Sequence, residues 1–137
     1  MLRAYAEAEK AFALDEVPVG AVIVCEGRVI ARAHNLSERL QDVTAHAEMQ
    51  AITAAAHHLG SKFLNDCSLY VTLEPCPMCA GASYWARLGR IIYAARDEKR
   101  GYRCFNQALL HPSTKVSEGI MAGESQQLLQ SFFRKKR

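Results

Sequence analysis

The stretch SLYVTLEPCPMCAGASYWARLGRIIYAA, running from Ser68 to Ala95, decides the fold. Ser68 to Leu73 is a β-type run, and the Pro75 to Pro77 corner ends it because proline cannot supply the next ladder hydrogen bond. Residues 78–88 read as a helix, with Gly89 as its stop. Arg90 to Ala95 is almost wholly apolar, as a strand covered on both faces would be. A strand, a helix and a second strand thus follow one another with short connections.

Working outward, the alternation continues in both directions. Residues 2–14 are rich in Ala, Leu, Glu and Lys without Gly or Pro and predict a helix. Val19 to Cys25 and Arg28 to His34 are β-rich and separated by Glu26-Gly27, which predicts a hairpin with Gly27 in the strained turn position. Thr44 is placed to cap an Ala-rich helix over 45–59, which Gly60 would end. Beyond Ala95 come a polar loop, a short strand at Val116 and a final helix near 123–134. The expectation is an α/β domain with helices on both faces of one sheet.

At 137 residues the chain has the length of one ordinary domain, so residues 1–137 are expected to form a single unit. No repeat, low-complexity tract or linker interrupts it. Half of the residues are hydrophobic, enough for a sizeable core, and no apolar run is long enough to cross a membrane. Arg3, Glu7, Glu9 and Lys10 break up the N-terminus where a signal peptide would need an apolar stretch, so a cytoplasmic protein is expected. Five cysteines cannot all pair within one chain, which argues against a disulfide scaffold. A formal charge of +3 is too small to establish a nucleic-acid partner by itself. The basic residues are nevertheless clustered, at Arg87, Arg90, Arg96, Lys99, Arg100 and Arg103 and again at Arg134 to Arg137, and such clusters are either solvated faces or phosphate contacts.

Two helix starts carry the chemistry: His46-Ala47-Glu48 and Pro75-Cys76-Pro77-Met78-Cys79. A catalytic zinc takes three protein ligands from imidazole and thiolate and keeps a fourth position for water. His46, Cys76 and Cys79 supply three, and a helix N-terminus favours the thiolate form that metal needs. Glu48 would then serve as proton shuttle rather than ligand. Taken alone, Cys76-x-x-Cys79 is equally a redox pair, half of a structural zinc site or incidental. His46 and Glu48 have no role in a redox pair, and Cys25, Cys67 and Cys104 stand isolated, as small buried hydrophobes would. His34, His57, His58 and His111 have no metal partners at suitable spacing, and Tyr84 and Trp85 read as packing residues.

Longer blocks carry a resemblance. Asp15-Glu16-Val17-Pro18-Val19-Gly20-Ala21, Thr44-Ala45-His46-Ala47-Glu48 and Leu69 to Ala82 are similar to the bacterial tRNA-specific adenosine deaminases, a branch of the cytidine deaminase-like zinc deaminases. The similarity continues through Ala95-Arg96-Asp97, Lys99, Gly101, His111-Pro112, Gly119-Ile120 and Phe132-Phe133. It implies a three-layer α/β/α fold around a mixed five-stranded sheet. It also implies one Zn²⁺ on His46, Cys76 and Cys79, proton transfer by Glu48, a base contact by Asn35, and Asp97 near ribose hydroxyls. Arg96, Lys99, Arg100 and Arg103 become candidate RNA contacts. The implied reaction is hydrolytic deamination of the wobble adenosine of a tRNA anticodon to inosine, by a zinc-activated water. The implied partners are the anticodon stem-loop, typically of an arginine tRNA, and a second copy of the chain. A deaminase of free guanine or cytosine, and an inactive zinc-stabilised RNA-binding module, are the alternatives; Glu48 speaks against the second, since structural zinc needs no proton shuttle. Between Gly101 and His111 the family commonly has small residues, whereas this chain has Tyr102, Arg103, Cys104 and Phe105, a departure that bears on RNA preference.

Overall fold

In the computed structural model, which describes residues 1–137, the N-terminal helix α1 (Leu2–Ala13) lays fully buried Ala4, Ala8 and Ala11 against strand β1 (Gly20–Cys25). Gly20 permits this approach. A Cβ there would overlap the Ala4 carbonyl oxygen and the Ala8 amide nitrogen, so the helix backbone rests directly on the strand.

The strand β2 (Arg28–His34) returns antiparallel to β1. The expected turn is present, but the left-handed conformation is shared, with φ of 52° at Glu26 and 76° at Gly27. Two successive residues at positive φ match the right-handed strand twist that a two-residue hairpin must follow. The register slips between Ile23 and Val24, whose partners are Ala31 and Val29, so Ile30 has no opposite number.

The helix α2 (Ala47–Leu59) follows, then β3 (Cys67–Leu73), α3 (Pro77–Ala86), β4 (Arg90–Ala95), two short turns of 3-10 helix at Tyr102–Cys104 and Gln107–Leu109, β5 (Lys115–Glu118) and α4 (Ala122–Lys135). The strands form one mixed sheet in the order β2-β1-β3-β4-β5, with β3, β4 and β5 parallel to one another. Helices α1 and α4 pack together on one face, and α2 and α3 on the other. The core between the layers includes Ile23, Leu69, Val71, Ile91 and Tyr93, all essentially without solvent contact. This is the expected three-layer α/β/α arrangement. No helix is long and apolar enough to cross a membrane.

Two helix boundaries differ from the sequence reading. Thr44 does not cap α2. Its amide and hydroxyl both donate to Asp42 Oδ1, at 2.8 and 2.7 Å, and His46 takes the N-cap position instead. The competing Asx-type turn wins because it satisfies two donors of Thr44 locally. The helix α3 stops at Ala86 with Arg87 in the left-handed region, before Gly89 is reached. The Gly89 amide is already committed to the carbonyls of Leu64 and Cys67. Gly60 does end α2, at φ 64° and ψ 31°.

Candidate active site

Because β1 runs opposite to both β2 and β3, while β4 runs with β3, the carboxyl ends of β2, β3 and β4 emerge at one edge of the sheet. Asn35, the Glu74-to-Cys76 segment and Arg96-Asp97 follow those ends directly. Open α/β sheets bind their ligands beyond this edge.

His46 and Cys76 occupy equivalent places: each is the N-cap of its helix, in extended conformation, with φ −70° and ψ 155° for His46 and φ −74° and ψ 171° for Cys76. Neither side chain caps its own helix, which leaves both free to turn towards the space between α2 and α3. Cys79 joins them from the first turn of α3, where Pro77 needs no hydrogen-bond partner. His46 Nδ1 lies 3.7 Å from Cys76 Sγ and 3.5 Å from Cys79 Sγ. A tetrahedral zinc with bonds of about 2.3 Å to sulfur and about 2.05 Å to nitrogen spaces such donors about 3.6 Å apart, so the donor set fits this ion. Hydrogen bonds from Cys79 and His46 hold the Cys76 thiol down at about 4, while Cys79 keeps its proton because it donates to Cys76 and is buried. Cys76 is thereby prepared as a thiolate, and the shared proton is what a metal displaces.

Glu48 is 4 % exposed and lies in the first turn of α2. Burial pushes its carboxyl up to about 6, and Cys79 is within hydrogen-bonding reach of it. Since His46 precedes the helix proper, the angular separation of two residues along an ideal helix does not keep its imidazole and the Glu48 carboxyl apart.

Asn35 is buried at the end of β2. The Leu36 amide donates to the Ala45 carbonyl at 3.0 Å, and Gln50 Nε2 donates to the carbonyls of His34 and Ala45 at 2.8 and 3.1 Å, which ties the end of β2 to the segment before His46. The group holding Asn35 in place is Glu16, a fully buried carboxylate that accepts from Asn35 Nδ2 at 3.4 Å, the Glu38 amide at 3.0 Å and the Arg39 amide at 2.7 Å. Asp97 lies on the other side, where its Oδ1 accepts from the amides of Lys99 and Arg100 at 3.1 and 2.9 Å. Glu74, also buried, accepts the Asp97 amide and pairs with the Arg103 guanidinium. Glu16 and Glu74 were visible in the sequence only as acidic residues beside apolar runs and prolines, without an assigned role.

Of the four candidate RNA contacts, Arg96 pairs with Glu118, and Arg103 pairs with Glu74 and faces Glu118 at 3.9 Å. Lys99 and Arg100 are exposed and carry no ion pair. Cys25 is half-buried and Cys67 buried, but Cys104 is exposed rather than packed. Trp85 packs within the chain only edge-to-face on Tyr84, at 5.7 Å between ring centres; it is 77 % exposed and borders a cleft of about 560 Å³ with Tyr84, Phe63, Lys62, Arg87 and His111.

The same fold recurs in known proteins. A family model described as MafB19-like deaminase matches residues 1–137. The tRNA-specific adenosine deaminase of Agrobacterium fabrum (strain C58) is 48 % identical over 139 residues, covering 98 % of this chain and 91 % of that protein. A solved structure from studies of A-to-I editing by tRNA:A34 deaminases at the wobble position superposes with a TM-score of 0.87 at 46 % identity, covering 93 % of this chain and 96 % of the other. A Bacillus subtilis guanine deaminase structure is 45 % identical, but with a TM-score of 0.66 and coverage of 69 % of this chain and 61 % of that one. The chain belongs to the MafB19-like deaminases and to the family of tRNA-specific adenosine deaminases.

Proposed function

We propose that residues 1–137 act as one zinc-dependent domain that converts adenosine to inosine at the wobble position of a tRNA anticodon. The observation that carries this reading is the convergence of His46, Cys76 and Cys79 beside the buried carboxyl of Glu48, in a chain close in sequence to tRNA-specific adenosine deaminases along its length. Zinc on those three residues supplies a Lewis acid that acidifies water towards hydroxide near neutral pH. Glu48, lifted towards neutrality by burial, exchanges protons readily there. As a carboxylate it takes one proton from the attacking water and, as an acid, delivers it to the ring nitrogen. It then carries the second proton, from the new C6 hydroxyl, to the amine, so that the C6–N bond breaks, ammonia leaves and a C6 carbonyl remains.

The remaining residues orient the substrate. Asn35 is assigned to the base, since it uses only one amide hydrogen on Glu16. Asp97 is assigned to ribose hydroxyls, since its Oδ2 has no partner within the chain. Single-stranded anticodon loops suit such a site because their bases leave the stack at low cost. Lys99 and Arg100 are assigned to phosphates; Arg96 and Arg103 are held by carboxylates of the protein itself.

The protein works in this proposal as a homodimer in the cytoplasm, with the anticodon loop of an arginine tRNA across both subunits. The exposed Trp85 in its aromatic cleft supports burial against a second copy, since a large apolar surface left in water marks an interaction site. The deciding experiment incubates the purified protein with an anticodon stem-loop carrying adenosine at the wobble position, and separately with adenosine, cytidine and guanine. Inosine in the stem-loop alone is expected. Xanthine from guanine, or uridine from cytidine, as the principal product would replace this reading by a small-molecule deaminase.

A further inference from the structure

Glu74 is 2 % exposed and stands two residues before Cys76. Its oxygens accept from the Asp97 and Arg103 amides, both at 3.2 Å, and from Nη2 and Nε of the Arg103 side chain at 3.2 and 3.3 Å. A buried carboxylate requires a cation, and Arg103 is the one within ion-pair distance. The intervening turn is wrapped around this pair. The Gly101 amide donates to the Asp97 carbonyl at 3.0 Å and the Tyr102 amide to the Pro75 carbonyl at 2.8 Å. A side chain on Gly101 would collide with the Glu74 carboxyl, so the turn sits directly on it. The outer side of the guanidinium lies over the Tyr93 ring at 5.9 Å and faces Glu118, which Arg96 neutralises in turn. The turn carrying Asp97, Lys99 and Arg100 is therefore organised by one buried carboxylate, which also belongs to the segment presenting Cys76.

We propose that Arg103 is a positioning residue for the RNA substrate: by neutralising Glu74 it keeps the Asp97–Arg103 turn pre-formed against the Cys76 segment, so that the turn meets RNA without first having to be ordered. This rests on the reading of the substrate as an anticodon loop. The guanidinium acts through Glu74 and contacts no phosphate. Removing it leaves a buried charge that draws water under the turn, and binding must then supply the lost order. The Michaelis constant carries that loss, because Glu48 and the three candidate metal ligands lie on other elements or beyond Pro75.

The test compares Arg103→Met, Arg103→Lys, Glu74→Gln and the double variant Arg103→Met/Glu74→Gln, each loaded with zinc, on a wobble-adenosine stem-loop. Arg103→Met and Glu74→Gln should each raise KM about tenfold, with kcat within about twofold and zinc content unchanged. The double variant should be no worse than either single one, since the two residues act as one unit. Arg103→Lys should recover part of the loss. Amide exchange over residues 97–104, read on the protein alone, should quicken in both single variants. If Arg103→Met proves insoluble, Glu74→Gln and the double variant carry the same comparison. A raised KM in Arg103→Met with none in Glu74→Gln would make Arg103 a phosphate contact and overturn the proposal. So would unchanged exchange in the turn, or faster exchange without any change in KM. A wild type that leaves the stem-loop untouched would instead overturn the substrate reading itself, whatever the exchange shows.

Discussion

Replacing Glu16 by Gln tests whether a fully buried carboxylate holds the Asn35 side of the site. Glu16 Oε2 accepts the Arg39 amide at 2.7 Å, and Oε1 accepts both the Glu38 amide and Asn35 Nδ2. A glutamine has one oxygen for these positions and one NH₂ group, so at least one N–H must face another donor. A hydrogen bond to a charged group contributes about 1.5–3 kcal/mol, and its loss inside the protein leaves a donor unsatisfied, so a cost of about 2–3 kcal/mol is expected. An unfolding entropy of about 2.1 cal/mol/K per residue, over 137 residues, gives about 0.29 kcal/mol/K. The melting temperature should therefore fall by roughly 7–10 °C. Because Asn35 loses its anchor, kcat/KM on a wobble-adenosine stem-loop should fall about tenfold while zinc content stays unchanged. Scanning calorimetry and steady-state kinetics read the two effects. A melting temperature within about 1 °C of wild type, together with unaltered kcat/KM, would refute the assignment of Glu16 as the support of this side.

Cys79→Ser should reduce bound zinc well below one per chain and lower thermal stability, as judged by metal analysis and calorimetry; a fully loaded, equally stable variant would contradict the ligand assignment. Glu48→Ala should keep zinc and stem-loop binding but lose at least about 10²-fold in kcat. Metal loss as its main defect would instead make Glu48 a ligand. Neutralising Lys99 and Arg100 together should reduce the slope of log binding constant against log salt by about 0.7 per lost contact, and equal slopes would return both to a solvated surface. Gly20→Ala should shift the denaturant midpoint by the equivalent of at least roughly 1–3 kcal/mol, since α1 has to lift off β1; an unshifted midpoint would mean that the helix does not rest there in solution.

The alternation of elements was legible because each segment obeys a single period: Arg90 to Ala95 is apolar throughout and buried as β4, and the Glu26-Gly27 hairpin lies where the turn residues stand. The cluster of His46, Cys76 and Cys79 was equally open to reading, since ligand chemistry and spacing are local properties. Helix starts were less so. Thr44 is a good cap by type, but Asp42 two residues earlier offered its donors a nearer partner. What stayed hidden was the support. Nothing local tells Glu16 or Glu74 from a solvent-facing acid; only the fold brings residues 38–39 to one and residues 97–103 to the other. Trp85 misled for the opposite reason, because a bulky aromatic on a helix is usually covered by its own chain, whereas this one meets Tyr84 edge-to-face and leaves most of its ring in solvent.

Both ligand-bearing helices start without a side-chain cap, because His46 and Cys76 spend the capping position on facing each other. An ordinary cap contributes about 1 kcal/mol, so the two helix starts forgo something on the order of 2 kcal/mol where the metal binds. The ion returns that stability by mass action, in proportion to the logarithm of its free concentration over its dissociation constant. Folding at this end of the molecule is thereby coupled to metal supply: when zinc is scarce, the first turns of α2 and α3 fray together, and proteolysis should begin in the connections leading into them.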